Sequence, residues 1–584
     1  ILAQAILAQA CSSCKRSART LHLRPVPGLR PMAAAAETPA FIQRGGEALD
    51  AHQALQVLLF LPPKSAGRVQ AAAKTSILAR SAGSDALWAA HARSYFGLCG
   101  PGACRGPRGE ASGASWAKAF RMWQGSVPDA SFEALAGARV HGPLRARWIA
   151  VWSRVRQWLG AHAPEVARTL RAPLTAGHEG LLADHDVPEA HPAVLGLWCV
   201  HDGQDAPMGT SLCARLGMRG PAEHEEWSRG LLGGYTVYSH EVSMVLLPLR
   251  AALSLTQFFR ERMGLSSPDF RSRLAFASSY NYLKFFFVDV EDGSVWAWTG
   301  RPRRMFERAI PLGHSGLSRG SKVRLSGLQA RPELNDREGT LVDFDAAEGR
   351  WQVRMEDGSG VHLLKEDNLR AEAALAQAQD GDGLLRWFEE FASRLDGGIY
   401  RKMPLRPDQA SSDFPTEGIC LFPASGPEFS HCVTQGVEVT ASCVYMPEDP
   451  QSGWTYSIAM RLVGTAEERG FKTCQLDVRH WVIQEDGSDP EHVRGKGVVG
   501  FFPILDDGGW WLNQASDPNL QYGIPHGFVE GAFRYQSCSG RSRSMKGSFS
   551  GDLTFVPGTR EKPTGPPFQA RLEKFHLRVP DYIF

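Results

Sequence analysis

The apolar positions of this 584-residue chain fall into blocks of different period. Between residues 47 and 98 they recur at helical spacing, first as Leu55, Leu58 and Leu59, then as Val69, Ala72 and Ala73. Pro62-Pro63 stops the first of these helices after Leu61, because proline has no amide hydrogen to donate. Ser84 or Asp85 caps a further helix carrying Leu87, Trp88, His91 and Tyr95. A helical unit this small cannot hide apolar faces this large on its own, so it reads either as a plain helical core or as a peg for a partner. Residues 99–114 are rich in Gly, Pro, Cys and Arg and read as a linker. Helix returns over 115–172, where Trp148, Trp152, Val155, Trp158 and Leu159 form one stripe, the pattern of a core face.

From Pro173 to about Thr299 helical and strand periods mix. Tyr282–Val290 is a continuous aromatic and β-branched run; Glu291-Asp292-Gly293-Ser294 turns it into Val295–Trp298, a β-hairpin signature. A basic connector over 300–320 leads to short alternating strands at Lys322–Leu325, Trp351–Met355 and Val361–Leu363, which predict a small β-barrel. Residues 371–398 are helical through Leu384, Leu385, Phe388, Phe391 and Leu395, and stop at Gly397-Gly398. From 433 to 584 the pattern is almost wholly strand, with Gly, Asp and Pro turns and no helical stretch, which predicts a β-sandwich.

Composition narrows the function more than the fold. Lys+Arg is 64 against Asp+Glu 62, a net charge of +2, which rules out a generally basic nucleic-acid binder. No window approaches about 18 uninterrupted apolar residues, so no helical membrane span is expected. Eleven cysteines are scattered without a framework and read as free thiols in a reducing compartment. Up to Ala36 there is no acidic residue while Lys15, Arg16, Arg19, Arg24 and Arg30 are basic, as in a transit peptide. The opening Ile1 and the repeat of Ile-Leu-Ala-Gln-Ala over 1–10 fit instead a gene-model extension with the start near Met32, so 1–46 is expected to be a disordered, targeting or artefactual segment.

No catalytic constellation emerges. Cys11-Ser12-Ser13-Cys14 lacks the second pair that a zinc site needs. Gly495-Lys496-Gly497-Val498-Val499-Gly500 satisfies GxGxxG, but Phe501-Phe502-Pro503 follows as strand rather than as the helix whose amino terminus would meet a pyrophosphate. His480 sits in an alternating strand and reads as a buried, satisfied histidine. His224-Glu225-Glu226 lacks HExxH spacing, and Asp506-Asp507-Gly508-Gly509 and Asp380–Gly383 are turns without calcium-loop spacing. Arg541–Lys546 is a short basic loop, solvated by default. No cofactor or metal is implied.

One ordered series is more specific. Gln475-Leu476-Asp477-Val478-Arg479-His480-Trp481-Val482-Ile483, then Val493–Gly500, Phe502-Pro503-Ile504-Leu505, Phe533–Cys538 and Met545–Phe549 strongly resemble the ApaG domain, which implies a fibronectin-III-like sandwich over 433–584. The stretch from Trp510 to about Gly531 lengthens a loop that is short in that family. Upstream, Leu197–Gln204 and Gly230–Tyr235 resemble the SUKH superfamily, an α/β binding fold; this implies a domain over 115–317 and 371–398 whose closing helix carries Trp387-Phe388. The barrel at 318–370 resembles an SH3-like module inserted before that helix, and 399–432 reads as a linker. The helical unit at 47–98 is similar to an F-box, best at Asp85–Trp88 and Tyr95-Phe96, although Leu49-Asp50 stands where Leu-Pro is usual.

The order F-box, SUKH, ApaG is that of a family of F-box-only proteins. The resemblance implies a multidomain α+β chain acting as the substrate-recognition subunit of an SCF-type cullin-RING ubiquitin ligase, not itself an enzyme. It would bind a Skp-family adaptor, and through it a cullin, by Leu49, Leu55, Leu58, Leu59, Leu61, Val69, Leu87 and Trp88, partly outward and partly inward. The rear domains would hold an unidentified protein target, in the cytoplasm or nucleus. The alternative is a scaffold or sensor without a ligase role, whose front helices only pack on the SUKH-like domain.

Overall fold

The structure is a computed structural model, and it describes residues 85–584 apart from 97–105, 108–114, 141, 175–177, 207–228, 239, 263–267, 301–305, 311–321, 327, 329–330, 346–349, 366–367, 372–380, 406–416, 450–452, 486–487, 513–527 and 540–545. Two compact units are distinguished, 1–128 with 141–150 and 129–140 with 151–584. Residues 116–125 and 142–150 fall in the first unit and 129–137 in the second, so the leading helices, expected with the α/β region, are divided between the two.

In the first unit, α1 (Asp85–Phe96) packs on α2 (Trp116–Gly125). The Asp85 carboxylate accepts the Trp116 N–H at 2.9 Å, so the acid at the head of one helix also holds the head of the other. Ser115 caps α2 by accepting the Lys118 N–H at 3.3 Å. The Phe120 ring lies 5.2 Å from both Trp88 and Phe96 and forms the centre of this small core.

The second unit holds α3 (Asp129–Gly137), α5 (Pro192–Val200), α6 (Leu249–Arg262) and α7 (Gly383–Asp396), with the last part of α4 (Gly142–His162). The stripe Trp148, Trp152, Val155, Trp158 and Leu159 is buried throughout, as its spacing predicts. Every residue of α5 from Ala193 to Val200 is buried, so α5 is apolar all round and runs through the core. Strands β1 (Gly234–Val237), β2 (His240–Leu246), β3 (Arg273–Ser279), β4 (Phe285–Asp289), β5 (Val295–Trp298) and β6 (Phe306–Arg308) form an antiparallel meander in that order. The β4–β5 pair is the hairpin read from the sequence.

Two polar residues after α5 are structural. Gln204 is fully buried: its amide donates to Thr169 Oγ1 at 2.7 Å and the Arg229 carbonyl at 3.0 Å, while its Oε1 accepts the N–H groups of Leu231 at 2.9 Å and Leu246 at 3.1 Å. His201 donates Nδ1–H to the Arg171 carbonyl at 2.9 Å and meets the Trp152 ring at 4.9 Å. Burial pulls its pKa down to about 4. Because that lies below the unfolded value near 6.5, the unfolded chain takes up the proton first as pH falls, and the stabilisation is lost between about 6.5 and 4. Urea unfolding at pH 7 and pH 5 should therefore show the parent losing about 2 kcal/mol more than His201→Phe over that interval.

Strands β7 (Lys322–Leu325), β8 (Glu338–Asp345), β9 (Arg350–Met355), β10 (Val361–Leu364) and β11 (Leu369–Ala371) make a separate five-stranded antiparallel sheet ordered β10-β9-β8-β7-β11. Val323, Leu325, Leu334, Leu341, Val353, Met355, Leu364 and Leu369 fill its own core. This is the compact β unit predicted over 321–370, with its last strand running on to Ala371.

Residues 399–432 are not a linker. β12 (Arg401–Pro404) and β13 (Glu417–Cys420) extend the eight-stranded sheet, which runs β12-β13-β1-β2-β3-β4-β5-β6, with β13 parallel to β1 at Gly234↔Cys420. The sequence conceals them because each is only four residues long and no run of alternation builds up. Gly233, at φ +78°, is required at the join: a Cβ there would stand 2.7 Å from the Leu421 side chain.

The remainder is the expected sandwich. One sheet is β14 (Phe429–Thr434), β15 (Val437–Tyr445), β16 (Trp454–Leu462) and β22 (Phe533–Ser539). The other holds β17 (Cys474–Glu485), β18 (Glu491–Lys496), β19 (Pro503–Asp506), β20 (Gly509–Leu512), β21 (Val529–Glu530), β23 (Lys546–Pro557) and β24 (Phe568–Arg578). Contrary to the sequence reading, this region contains a helical turn, α8 (Ala466–Arg469), set by a capping box between Thr465 and Glu468. No helix among the described residues is long and apolar enough to cross a membrane.

Candidate functional site

The eight residues expected to meet an adaptor divide sharply. Leu49, Leu55, Leu58, Leu59, Leu61 and Val69 lie outside the described residues. Leu87 and Trp88 are buried inside the first unit, at 0% and 3% exposure. With them on the inner face of α1 is His91, whose ring lies 5.8 Å from Trp88 and 6.1 Å from Phe120 and whose pKa burial pushes down. The exposed positions of α1 are Asp85, Ala86, Arg93 and Ser94, a polar outer face. As placed, α1 is a strut.

In the second unit, a buried polar cluster joins the eight-stranded sheet to the sandwich. Lys284 stands fully buried between Leu283 and Phe285 in the aromatic run that leads into β4. Its Nζ donates to the main-chain oxygen of Phe584 at 2.6 Å and to the Tyr235 hydroxyl at 3.3 Å, and lies 3.8 Å from Glu448 Oε2. Glu448, just after β15, has a side chain only 1% exposed; its Oε1 also accepts from the Tyr235 hydroxyl and meets His240 Nε2 at 3.0 Å. Burial alone would raise the Glu448 carboxyl, but the Lys284 charge, aided by His240 and Tyr235, overcomes this and holds it at about 2. Nearby, Trp387 Nε1–H donates to the Ile583 carbonyl at 2.8 Å, and Tyr445 donates to Glu307 at 2.7 Å. These contacts make a fixed joint rather than a reaction centre.

Between α7 and the chain's last residues lies a cavity of about 290 Å³. Four of its charges are paired with each other: Arg394 pairs with Glu390 at 2.9 Å and donates to the Tyr400 hydroxyl at 2.8 Å, and Arg578 pairs with Glu428 at 3.0 Å; Asp581 also lines it.

On the sandwich, His480 is half-buried on β17 rather than buried as expected, and it is satisfied from both sides. Nδ1 meets Asp552 Oδ2 at 2.9 Å and Nε2 meets His492 Nδ1 at 2.9 Å, with the two imidazoles stacked at 5.2 Å. The three side chains come from β17, β23 and β18. Among the described residues no group of three or more His, Cys, Asp or Glu is placed to hold a metal ion. The GxGxxG segment is a tight turn: Val498 and Phe501 exchange hydrogen bonds of 3.0 and 2.8 Å across Val499 (φ +48°) and Gly500 (φ +81°), and β19 follows. The thiols of Cys199, Cys420, Cys443 and Cys474 are buried and pushed up by desolvation, that of Cys199 to about 12, which makes them poor nucleophiles near neutral pH. Sequence reasoning missed the Lys284–Glu448 pair; a lysine directly before the Phe285-Phe286-Phe287 run was the available signal.

Comparison with known proteins agrees with the architecture. Residues 444–537 match the family DUF525, the ApaG domain. A protein of Arabidopsis thaliana named F-box protein SKIP16 is 28% identical over 540 residues, covering 90% of this chain and 97% of its own. Protein ApaG of Bradyrhizobium sp. is 32% identical over 113 residues, 18% of this chain and 80% of that protein. Protein ApaG of Anaeromyxobacter dehalogenans is 35% identical over 106 residues, 18% of this chain and 79% of that one. The sandwich that closes this mixed α+β chain is therefore an ApaG domain, and the chain belongs to the ApaG-domain family.

Proposed function

We propose that the chain is the substrate-recognition subunit of an SCF-type cullin-RING ubiquitin ligase. The observation that carries this reading is the match over 90% of the chain to a protein named as an F-box protein, a match far longer than the ApaG domain alone. In this reading residues 47–98 are an F-box that docks a Skp-family adaptor, and the cullin joins through that adaptor. With Leu87 and Trp88 turned inward, the adaptor contact falls to Leu49, Leu55, Leu58, Leu59, Leu61 and Val69. Such a contact draws on apolar burial at ~25 cal/mol per Å² before the cost of association is met. The eight-stranded α/β part corresponds to a SUKH domain, the five-stranded sheet to an SH3-like insert, and these with the ApaG sandwich hold the target. The subunit performs no bond chemistry; it holds a target lysine near a charged conjugating enzyme, and the gain is proximity. It works in the cytoplasm or nucleus.

Co-purification with adaptor and cullin tests the reading. Leu58→Asp with Leu59→Asp should cut adaptor recovery at least about tenfold, since two charges would have to enter an apolar contact. Unchanged recovery from a variant whose melting curve matches the parent's would refute the F-box assignment. A non-ligase scaffold is the second reading, favoured by the polar outer face of α1, and that same result would support it.

A further inference from the structure

Several of the described sheet edges carry protection against strand addition. β18 bears Glu491, His492, Arg494 and Lys496 along its open side, β12 bears Arg401, Lys402 and Pro404, and β6 is only three residues long. These are ordinary devices against strand addition. β10 lacks them. Among the described residues it pairs only with β9, and two of the exposed large apolar side chains, Val361 at 53% and Leu363 at 41%, lie on it two positions apart.

The register settles which groups face outward. Val361 stands opposite Arg354 and Leu363 opposite Gln352. Met355 N–H donates to the Gly360 carbonyl at 2.9 Å, so His362 and Leu364, next in the same alternation, share the ladder with β9. The N–H and C=O groups of Val361 and Leu363 then point away from β9 into the open edge. The approach is clear as well: a Cβ on Gly358 or Gly360, in the turn before β10, would meet nothing within 4 Å.

Charge selects the occupant. On the same outer face Arg354 lies beside Val361, and Lys365 follows Leu363 by two; both are exposed, and neither has an ion-pair partner among the described residues. Two β10 edges brought together would oppose these cations, which disfavours self-pairing. A strand with apolar residues at alternate positions and carboxylates between or beside them would satisfy both the edge and the charges.

We propose that β10 accepts an extended acidic segment of a partner protein as an added strand of the five-stranded sheet, with Val361 and Leu363 gripping its apolar side chains and Arg354 and Lys365 its carboxylates. This deepens the reading of the chain as a binding protein but does not depend on the adaptor; the assay below contains no adaptor, so the two can fail separately. The probe is a fluorescein-labelled peptide, Asp-Val-Glu-Val-Asp-Val-Glu, followed by anisotropy with the full chain. Saturable binding is expected, weakened at least about tenfold by Val361→Glu, by Leu363→Pro, which removes one outward amide, and by N-methylation of alternate peptide amides. A Lys-for-Asp/Glu version of the peptide should not bind. Equal binding by parent and Val361→Glu, or no binding by a parent with an intact melting transition, overturns the proposal. Concentration-dependent dimerisation abolished by Val361→Glu would make the occupant a second copy of this chain and overturn it too.

Discussion

Glu448→Ala should destabilise the second unit by about 3–5 kcal/mol, because it takes the Glu448 carboxylate away from the fully buried Lys284 ammonium. Lys284 is fully buried, with the Glu448 carboxylate 3.8 Å from its Nζ, beside the Phe584 main-chain oxygen at 2.6 Å and the Tyr235 hydroxyl at 3.3 Å. Burial already pulls the Lys284 pKa down against the pull of Glu448, so the variant would favour the neutral amine. Removing both charges as Lys284→Met with Glu448→Leu should recover much of the loss, and the double-mutant cycle measures the coupling. The same pair gives a pH signature. The folded carboxyl, at about 2, lies below its unfolded value near 4.5, so its contribution is complete above pH about 4.5 and is lost as pH falls toward 2. The loss at the acid end is roughly 3 kcal/mol, in a lower window than the one assigned to His201. Urea midpoints from pH 7 to pH 2.5 separate the two, and a Glu448 variant that keeps the parent's acid slope would contradict the assignment.

Gln204→Leu should cost about 3–5 kcal/mol through a different mechanism. The fully buried side chain closes four hydrogen bonds, and leucine of similar size would leave the Leu231 and Leu246 N–H groups without that acceptor and Thr169 and the Arg229 carbonyl without a donor. Each unsatisfied buried group costs about 1–3 kcal/mol. Gln204→Glu sharpens the test: it keeps the acceptor for both amides but sets a carboxylate oxygen against the Arg229 carbonyl. That variant should be poorer at pH 7 than at pH 4.5, where the acid can protonate and donate. A Leu variant within 1 kcal/mol of the parent would show that water replaces the side chain there.

Much of this architecture was visible in the pattern of residues, because local alternation and burial agree. Phe285–Asp289 turning at Gly293 into Val295–Trp298 has a single reading, and the strands of the five-stranded sheet and the sandwich show the same period of two. β12 and β13 were hidden since four residues carry too little period, and β13 finds its parallel neighbour β1 far upstream. α8 was hidden because a capping box can hold one turn with no apolar face to announce it. Lys284 and Glu448 are each legible only through the other, and no local rule links positions so far apart in the chain. The open edge at β10 was partly legible: Val361 and Leu363 alternate as a strand should, but whether their side of the sheet is covered depends on neighbours that the strand itself does not specify.

The route of the chain between the eight-stranded sheet and the ApaG sandwich has an evolutionary consequence. Residues 401–404 and 417–420 are laid into the sheet before the sandwich begins, and Ile583 and Phe584 come back to Ala309, Trp387 and Lys284 after it ends. In this chain the sandwich is not joined like a bead on a string. A crossover near residue 425 would deliver it without the two strands that pair beside β1 and would leave the socket around Trp387 to be filled by a foreign tail. Lineages that keep this joint are therefore expected to inherit both halves together, and to alter the sandwich by lengthening loops at its rim, not by exchanging it.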